Sequence, residues 1–366
     1  MPFARVNGDE IRVLPLRERK TKSRFSDIAV DPSLELTVDP ILETRVTAVA
    51  RRMIRAREIG ASRMIAFGAH LVKNGVAPIL IKLMEQGWLT HVATQGAGGI
   101  HDWEFAFMGM SEEDVRANVA TGKFGSWEET GRYINLAVQL GSLQGLGYGE
   151  SLGAFIENDG TMVPSAEELK QSISARLAEA VPDLAAQTEV LHTIAKFNIP
   201  AGFLRVPHPF KAASIFAGAF RTRTPITVHP GIGYDIIYNH PFANGAALGR
   251  GGHIDFKVFV NSVLNLTDGV FLSIGSAIMA PQVFEKALSF ANNILLQKGH
   301  KIHDHYMLVV DLQESTWDWT RGEPPKSSPD YYFRFLKSFF RMGGTTEYCA
   351  ADNRAFLHLL YQKLQS

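Results

Sequence analysis

The sequence predicts a doubly wound α/β fold with a mostly parallel sheet and helices on both of its faces. Two observations carry this prediction: short apolar segments alternate with amphipathic segments of helical length, and most of the short segments end at a glycine. Strands that alternate with helices in this way are typical of parallel sheets, because a parallel pair needs a long crossover connection. With 366 residues, 46% of them hydrophobic, the chain can bury a large core.

The alternation begins near residue 40. Residues 41–60 have apolar side chains at helical spacing and end at a glycine, which predicts a helix. Residues 62–68 are then predicted to form a strand, 69–87 a single helix and 89–96 a second strand. Because β-α-β crossovers are right-handed and join parallel strands, this unit predicts a parallel sheet.

The same alternation returns after a helix-rich middle. Residues 165–180 are predicted to form a helix, because Ser165 and Glu168 stand in capping-box register. The pattern then predicts, in order, a helix at 211–222, a strand at 224–231, a helix at 253–268, a strand at 269–276, a helix at 280–299, a strand at 305–313 and a helix at 354–364. The segment 315–333 between the last two is long enough to be a functional loop.

The chain is predicted to have two regions. Residues 1–40 are polar and form an N-terminal arm, which we expect to lie over the body of the protein or over a neighbouring subunit. Residues 41–366 are predicted to form one α/β domain, because the alternation runs through them with no clear linker.

Composition excludes several classes of partner. Basic and acidic residues both number 37, so the chain lacks the basic excess that nucleic acid or an anionic membrane would select. The single cysteine, Cys349, excludes an internal disulfide and fits a reducing compartment. The sequence shows no signal peptide and no run long enough to span a membrane, which predicts a cytoplasmic protein.

Five predicted strands end in similar segments: AFGAHLVKNG, TQGAGGIHD, HPGIGYD, SIGSAIM and VVDLQE. In parallel α/β sheets, ligands bind outside the carboxyl ends of the strands, where glycine lets backbone N–H groups approach phosphate or ribose. The sequence has no strict G-x-G-x-x-G motif, and residues 96–99 are also compatible with a simple tight turn. The five ends together predict one cofactor pocket, with candidate contacts at Gly68, Asn74, Gly98, Gly99, Gly231, Gly275 and Ser276.

Polar residues beside these glycines are the candidates for proton transfer. His101 and Asp102 follow one glycine turn, and His229 and Asp235 bracket another. Histidine exchanges protons near neutral pH, and a carboxylate can orient it or bind a cationic substrate. The alternative is that these side chains cap helices or satisfy the backbone of loops.

The aromatic loop supplies a second set of candidates. Trp317 and Asp318 suit an alkylammonium ligand, through cation–π contact and ion pairing. Lys337, shielded by aromatic residues, could lose its proton and form an imine, although it could equally extend from a packed segment towards solvent. His303 and His305 flank Asp304 without further ligand spacing, so a surface turn is expected there and no metal site is predicted.

Taken in order, these segments resemble the deoxyhypusine synthase family from about Met64 to the C-terminus. VATQGAGGIHD is similar to the family's Thr-Thr-Ala-Gly-Gly turn, ITVHPGIGYDII to its Asp-Gly-Ser-Leu-Gly-Asp segment, and EYCAADNRAFLHLL to its Tyr-Ala-Asp helix entry. FGAHLVKNG, GVFLSIGSAIMAP and VVDLQE resemble three further strand ends of the family.

The resemblance implies a Rossmann-like fold that binds NAD, oxidises spermidine, and passes a butylimine to its own lysine and then to a lysine of a translation factor. It implies that Asp235 and Asp318 hold ammonium groups and that Lys337 forms the imine. It also implies a homotetramer with sites at subunit interfaces. The residues that it places against NAD are Gly98, Gly99, Gly275, Asp311 and Asp352.

Several positions depart from the family pattern. Ile278 and the residues after it stand where the family keeps its catalytic histidine, and His101 with Asp102 replaces an acidic pair. The prediction is therefore an NAD-binding enzyme that acts on a small amine or polyamine but is not itself a deoxyhypusine synthase. His101 or His229 would transfer the proton. The alternatives are a non-catalytic nucleotide- or metabolite-binding protein, and a hydrolase or isomerase that uses His229 and Asp235.

Overall fold

The computed structural model describes residues 3–179, 181, 183–315 and 317–365. Its strands are β1 (Thr21–Arg24), β2 (Arg63–Phe67), β3 (His91–Thr94), β4 (Met110–Glu113), β5 (Gly160–Val163), β6 (Gly202–Arg205), β7 (Ile226–Val228), β8 (Val270–Ile274), β9 (Tyr306–Asp311) and β10 (Thr345–Ala350). Its α-helices are α1 (Phe25–Ile28), α2 (Pro40–Glu58), α3 (Ala69–Lys73), α4 (Ala77–Glu85), α5 (Gly96–Met108), α6 (Val115–Ala120), α7 (Glu128–Ser142), α8 (Tyr148–Glu157), α9 (Ala166–Arg176), α10 (Asp183–Phe197), α11 (Ile215–Thr222), α12 (Gly245–Val263), α13 (Met279–Leu296), α14 (Arg334–Phe340) and α15 (Asn353–Gln365).

Six parallel strands form the central sheet, in the order β10-β9-β8-β2-β3-β7. The chain builds β2, β3 and β7 outward in one direction, returns to place β8 beside β2, and then builds β9 and β10 in the other direction. This is the order of a doubly wound, Rossmann-like sheet, in which the direction of winding reverses between the two central strands. The predicted fold class is confirmed.

Helices cover both faces of the sheet, because side chains alternate along each strand. On β2, Ile65 packs into one buried apolar cluster with Met53 of α2 and Leu357 of α15. Its neighbour Met64 packs into a second cluster, with residues of α12 and α13. Both faces of β2 are therefore buried, which explains why its sequence is continuously apolar apart from Arg63.

The predicted single helix at 69–87 is wrong, because two helices, α3 and α4, occupy this segment. Gly75 between them has a φ of +73°, and a Cβ at Gly75 would lie 2.1 Å from the carbonyl oxygen of Ile28 in the N-terminal arm. Pro78 then stands in the first turn of α4, where its missing N–H costs nothing. Close approach of the arm to Gly75 and the proline start thus separate the two helices.

Two other differences have local causes. Helix α12 begins at Gly245, eight residues before the predicted start, because Asn244 caps it and its early glycines conceal the helical pattern. The sequence pattern predicts no strand at residues 345–350, yet β10 pairs there in parallel with β9 at the edge of the sheet. The capping box of Ser165 and Glu168 is present at the start of α9, as predicted.

The N-terminal arm packs closely on the domain. Leu16 is buried, the arm strand β1 pairs with β4, and the side chain of Arg19 is inserted beneath α5. Among the helices that the structure describes, none combines the length and the apolar character needed to cross a membrane.

Candidate functional site

The central crevice lies between the carboxyl ends of β2 and β8, where the winding of the sheet reverses. Gly68 follows β2, and its N–H donates to the carbonyl of Ile274 at 3.1 Å. A Cβ at Gly68 would lie 2.0 Å from the carbonyl oxygen of Gly275, so the two strand exits touch through backbone alone. Any side chain at Gly68 would force these exits apart.

A cavity of about 480 Å³ opens on the β8–β9–β10 side of this crevice. Its volume lies in the usual range for small-molecule sites, roughly 300–1,000 Å³. The side-chain amides of Asn74 and Asn353 join across it at 2.9 Å. Four of the residues predicted to bind the cofactor meet in this one cavity: Asn74, Gly275, Asp311 and Asp352.

Two carboxylates of this cavity each retain one oxygen for a ligand. Oδ1 of Asp311 accepts from the N–H of Leu312, and Oδ1 of Asp352 accepts from the N–H groups of Arg354 and Ala355 at the start of α15. For both residues, Oδ2 has no hydrogen-bond partner in the described chain. Carboxylate oxygens with no partner can accept hydrogen bonds from hydroxyl groups of a ligand, such as those of a ribose.

A second cavity, of about 190 Å³, borders α3 at Lys73 and lies at the exits of β3 and β7. His101, Asp235, Lys73 and Glu112 line it. The Lys73 ammonium is 3.4 Å from Oε1 of Glu112, and both side chains remain partly exposed. His101 and Asp235, which the sequence analysis places in two different pairs, share this cavity, whereas Lys73 and Glu112 were not predicted.

His101 lies on α5 and faces a buried polar network. Its Nδ1 is 2.7 Å from the hydroxyl of Ser111, which donates to Glu104 at 2.6 Å. The guanidinium of Arg19 donates to both oxygens of Glu104, at 2.6 and 2.7 Å. Burial lowers the pKa of His101 to about 4, so the imidazole is neutral at physiological pH.

Asp235 is buried beside the first turn of α5. Its Oδ2 accepts from the N–H of Gly231 at 2.7 Å, and its carboxyl group lies against Gly96, where a Cβ would be 2.6 Å from Cγ. Burial raises the pKa of Asp235 more than the N–H groups of Gly231 and Ala97 lower it. A cationic group in the cavity would favour the ionised form of this carboxyl.

Asp102 points away from both cavities. Its oxygens accept from the hydroxyl of Ser214 at 2.5 Å and from the N–H of Ile215 at 2.7 Å, so it holds the start of α11. Burial raises the pKa of Asp102 to about 6. The sequence leaves two roles open for Asp102, proton transfer and the capping of a helix, and these contacts support the capping role.

His229 belongs to a buried chain of hydrogen bonds that also includes Thr227 of β7 and His91 of β3. Its Nε2 is 3.1 Å from the hydroxyl of Thr227, which is 2.9 Å from Nε2 of His91. Burial lowers the pKa of His229 to about 3. No hydrogen bond or ion pair joins His229 to Asp235 in the described chain.

Three of the predicted cofactor glycines serve packing. A Cβ at Gly98 would lie 2.2 Å from the hydroxyl of Thr94, and one at Gly99 would touch Leu152 and Phe216. Gly231 is covered by the ring of Tyr234. The hydroxyl of Ser276, another predicted cofactor contact, accepts from the N–H of Ala280 at 3.2 Å near the start of α13.

The aromatic loop and Lys337 form a separate region. The Lys337 ammonium lies 3.5 Å from the centre of the Tyr331 ring and 3.6 Å from Glu323. Lys337 lines a shallow cavity of about 310 Å³ that shares no residue with the two described above. Trp317 donates to the carbonyl of Gly322, and Asp318 caps a short 3₁₀ helix, so neither faces those two cavities.

Sequence reasoning missed several residues that line or support the two cavities, and five of them carry charge or can titrate. Glu104 follows His101 by three positions on the same helix, which is a signal that could have been used. Arg19 could not have been found, because it comes from the arm, 85 residues before its partner. The other three are His70, Lys73 and Glu112.

No protein-family model and no curated protein matches the chain. Among solved structures, it is similar to AgrE in complex with ornithine and NAD+ (12% identity, TM-score 0.44, 91% of this chain and 34% of that one). It is also similar to ArgZ, an arginine dihydrolase from the ornithine–ammonia cycle in cyanobacteria (13%, 0.41, 90% and 33%). A third match is a "putative deoxyhypusine synthase" from Entamoeba histolytica (9%, 0.39, 92% and 95%).

The chain spans about a third of the length of AgrE and of ArgZ. A protein named for the family that the sequence resembles is among the matched structures. The fold and the crevice define this chain as a doubly wound, Rossmann-like α/β protein.

Proposed function

We propose that this protein is an NAD-dependent enzyme that acts on a small amine or an amino-acid-like substrate. The observation that carries the proposal is the position of the two cavities. One lies beside the point where the sheet reverses, and both border α3, which contributes His70 to the first and Lys73 to the second. A cofactor in the first cavity and a substrate in the second would therefore both be bound beside this short helix.

The residues of the first cavity fit a dinucleotide. Gly275 lines this cavity and leaves its Cβ side open, because a Cβ there would meet only the Asn353 amide at 4.0 Å, and Asp311 and Asp352 would each offer one carboxylate oxygen to ribose hydroxyls. The acidic residue that usually follows the second strand of such a sheet is absent, since Thr94 and Gln95 end β3. The ribose contacts are accordingly proposed on the β9–β10 side.

The residues of the second cavity fit an amine that also carries an anionic group. Asp235 would hold the ammonium and Lys73 the anion, while His101 would take a proton from the substrate nitrogen. Oxidation of the amine removes this proton and, from the adjacent carbon, a hydride that NAD accepts when bound. Because the amine is bound as an ammonium, loss of one proton and one hydride leaves a protonated imine (an iminium ion), and no further co-reactant is needed.

Binding of NAD to the intact chain tests the cofactor half of the proposal. At a hundredfold excess over Kd, a ligand raises the free energy of unfolding by about 2.7 kcal/mol. We expect a matching rise in Tm with NAD or NADH, and no rise would contradict the proposal. Asp352→Asn should weaken the binding but keep the cap of α15, because asparagine also caps helices. Asp318→Asn, a capping aspartate in the aromatic loop, is the matched control and should leave the affinity unchanged.

Transfer of an aminoalkyl group through Lys337 is the finer form of the proposal. It draws support from the family resemblance, although Lys337 and Asp235 do not share a cavity within one described chain. Borohydride trapping with spermidine, NAD and the intact protein tests it. Equal labelling of the parent and of Lys337→Ala would exclude the covalent role. Assembly as a homotetramer rests on the same resemblance, and sedimentation equilibrium would measure it.

A protein that binds a nucleotide without turnover is the second candidate. One observation favours it: Ile278, at the position of the family's catalytic histidine, is 69% exposed and has no chemistry to offer. This candidate predicts a Tm rise with NAD and no reduction of NAD with any small amine. Amine-dependent formation of NADH, measured by absorbance, would exclude it. The third alternative, a hydrolase that pairs His229 with Asp235, gains no support, because the described chain shows no contact between them.

A further inference from the structure

A continuous chain of hydrogen bonds runs from the N-terminal arm to His101. Arg19 donates to both oxygens of Glu104, Ser111 donates to Oε2 of Glu104 at 2.6 Å, and Nδ1 of His101 is 2.7 Å from the Ser111 hydroxyl. Arg19, Glu104 and Ser111 are each buried, with exposed fractions of 7%, 1% and 0%. Solvent therefore does not compete for these contacts.

The charge of Glu104 determines which atoms in this chain donate. Burial alone would raise the pKa of Glu104, but the charge and hydrogen bonds of Arg19 outweigh it and lower the pKa. Glu104 is therefore ionised, and an ionised carboxylate only accepts hydrogen bonds. The hydroxyl of Thr130 donates to its other oxygen at 2.8 Å, which confirms that Glu104 acts as an acceptor on both sides.

The hydroxyl of Ser111 then determines the tautomer of His101. A serine hydroxyl has one hydrogen, and the carboxylate of Glu104 takes it. The oxygen of Ser111 must consequently accept from His101, which places the imidazole hydrogen on Nδ1. The lone pair of the neutral ring remains on Nε2, which has no partner in the described chain, while His101 lines the second cavity.

We infer that Ser111 and Glu104 are positioning residues that hold His101 in the Nδ1–H tautomer, and that Arg19 of the arm keeps Glu104 ionised for this purpose. The inference rests on the proposed role of His101 as the proton acceptor. When Nε2 takes a proton from the substrate, Nδ1–H stays on Ser111, and the nearby Glu104 carboxylate stabilises the imidazolium. The arm thus supplies part of the catalytic arrangement.

Nitrogen NMR of the intact, ¹⁵N-histidine-labelled protein at pH 7.5 tests the inference without any cofactor. The two tautomers of a neutral imidazole differ in which nitrogen has the pyrrole-type chemical shift, and loss of one signal set in His101→Gln assigns the residue. We expect the pyrrole-type shift on Nδ1 of His101. A pyrrole-type shift on Nε2 in the parent protein would overturn the inference.

Two variants test whether the hydrogen bond from His101 to Ser111, and not general packing around Glu104, sets the tautomer of His101. Ser111→Ala removes the acceptor for Nδ1–H, and we expect His101 to move to the Nε2–H form that free histidine prefers in water. Thr130→Val removes a different hydroxyl from the same carboxylate and should leave the tautomer unchanged. If Nδ1 of His101 stays protonated in Ser111→Ala, or if the proton moves to Nε2 in Thr130→Val, the hydrogen bond to Ser111 does not set the tautomer.

Glu104→Gln provides a further test if Ser111→Ala fails to fold. A glutamine amide can donate to Ser111, which would turn the serine hydrogen towards His101 and place the imidazole proton on Nε2. A retained Nδ1–H form in Glu104→Gln would overturn the inference. None of these spectra needs NAD. The tautomer of His101 can therefore be confirmed even if NAD does not bind, and NAD binding can be confirmed even if the tautomer is not the one inferred.

Discussion

Gly68 and Gly275 touch through backbone alone, with no room for a Cβ between the exits of the two central strands. The first prediction follows from this contact. Gly68→Ala must move the carbonyl of Gly275, which would lie 2.0 Å from the new Cβ, and displacement of packed backbone costs about 1–3 kcal/mol. We expect a lower free energy of unfolding in urea, together with weaker binding of NAD.

Gly249→Ala is the matched control for this substitution. Gly249 lies within α12, and a Cβ there meets no atom within 4 Å. Because alanine favours a helix over glycine by about 1 kcal/mol, this variant should be as stable as the parent or slightly more so. Equal stability of Gly68→Ala and Gly249→Ala would show that the strand exits can separate freely.

Acid should destabilise the fold through its buried histidines. Burial lowers the pKa to about 3 for His91 and His229, and to about 4 for His101 and His208. Their pKa in the unfolded chain is near 6.5, so the unfolded state binds more protons below that pH. The stability is therefore complete above pH 6.5 and is lost as the pH falls from 6.5 towards 4.

Asp102 opposes this trend in part, because its raised pKa of about 6 means that protonation below pH 6 favours the folded state. Burial also raises the pKa of Asp235 and of Asp255, which act in the same direction as Asp102. Four histidines against these three carboxyls still predict a lower urea midpoint at pH 5 than at pH 7.5. His208 offers the sharpest test, since it packs among Trp103, Phe107 and Phe155 and neither ring nitrogen makes a hydrogen bond in the described chain, although Nδ1 lies 3.8 Å from Oδ1 of Asp159. His208→Phe should reduce the pH dependence, and the exposed His300→Gln should not.

Arg19 should be needed for stability as well as for chemistry. Arg19→Met leaves the carboxylate of Glu104 buried without a counterion, and loss of one partner of a buried pair costs about 3–5 kcal/mol. The double variant Arg19→Met/Glu104→Gln removes the uncompensated charge and should recover part of the loss. Arg17→Met, an exposed position in the same arm, should change the urea midpoint little, and a similar loss there would point to the arm as a whole.

Asp102→Ala should destabilise the protein and leave ligand binding unchanged. The variant removes the acceptor for Ser214 and for the first N–H of α11, and unsatisfied buried donors cost about 1–3 kcal/mol. The readouts are urea unfolding and the Kd for NAD. A weaker affinity for NAD with an unchanged free energy of unfolding would show instead that Asp102 contributes to the functional site.

The sequence predicted the fold well because β2, β3, β8 and β9 are buried on both faces, and such strands are recognisable as short apolar runs between helices. It did not show that β10 is a strand, because burial alternates along this edge strand and its sequence therefore lacks a continuous apolar run. Asn74, Gly275, Asp311 and Asp352 line one cavity, since strand order brings their loops to one edge, and their role as cofactor contacts stays a prediction. Gly98 and Gly99 were read as ligand contacts, but a glycine needed for helix packing has the same appearance in a sequence.

The docking of the arm has a consequence for the order in which the chain folds. Arg19 meets Glu104 across 85 residues, and the N–H of Leu16 meets the carboxylate of Glu129 across 113. During synthesis the arm emerges first, yet its buried partners emerge only after α5 and the start of α7. Contacts of such long separation form late. Residues 14–19 therefore lack these partners until β2, β3 and α5 have been synthesised and α7 has begun.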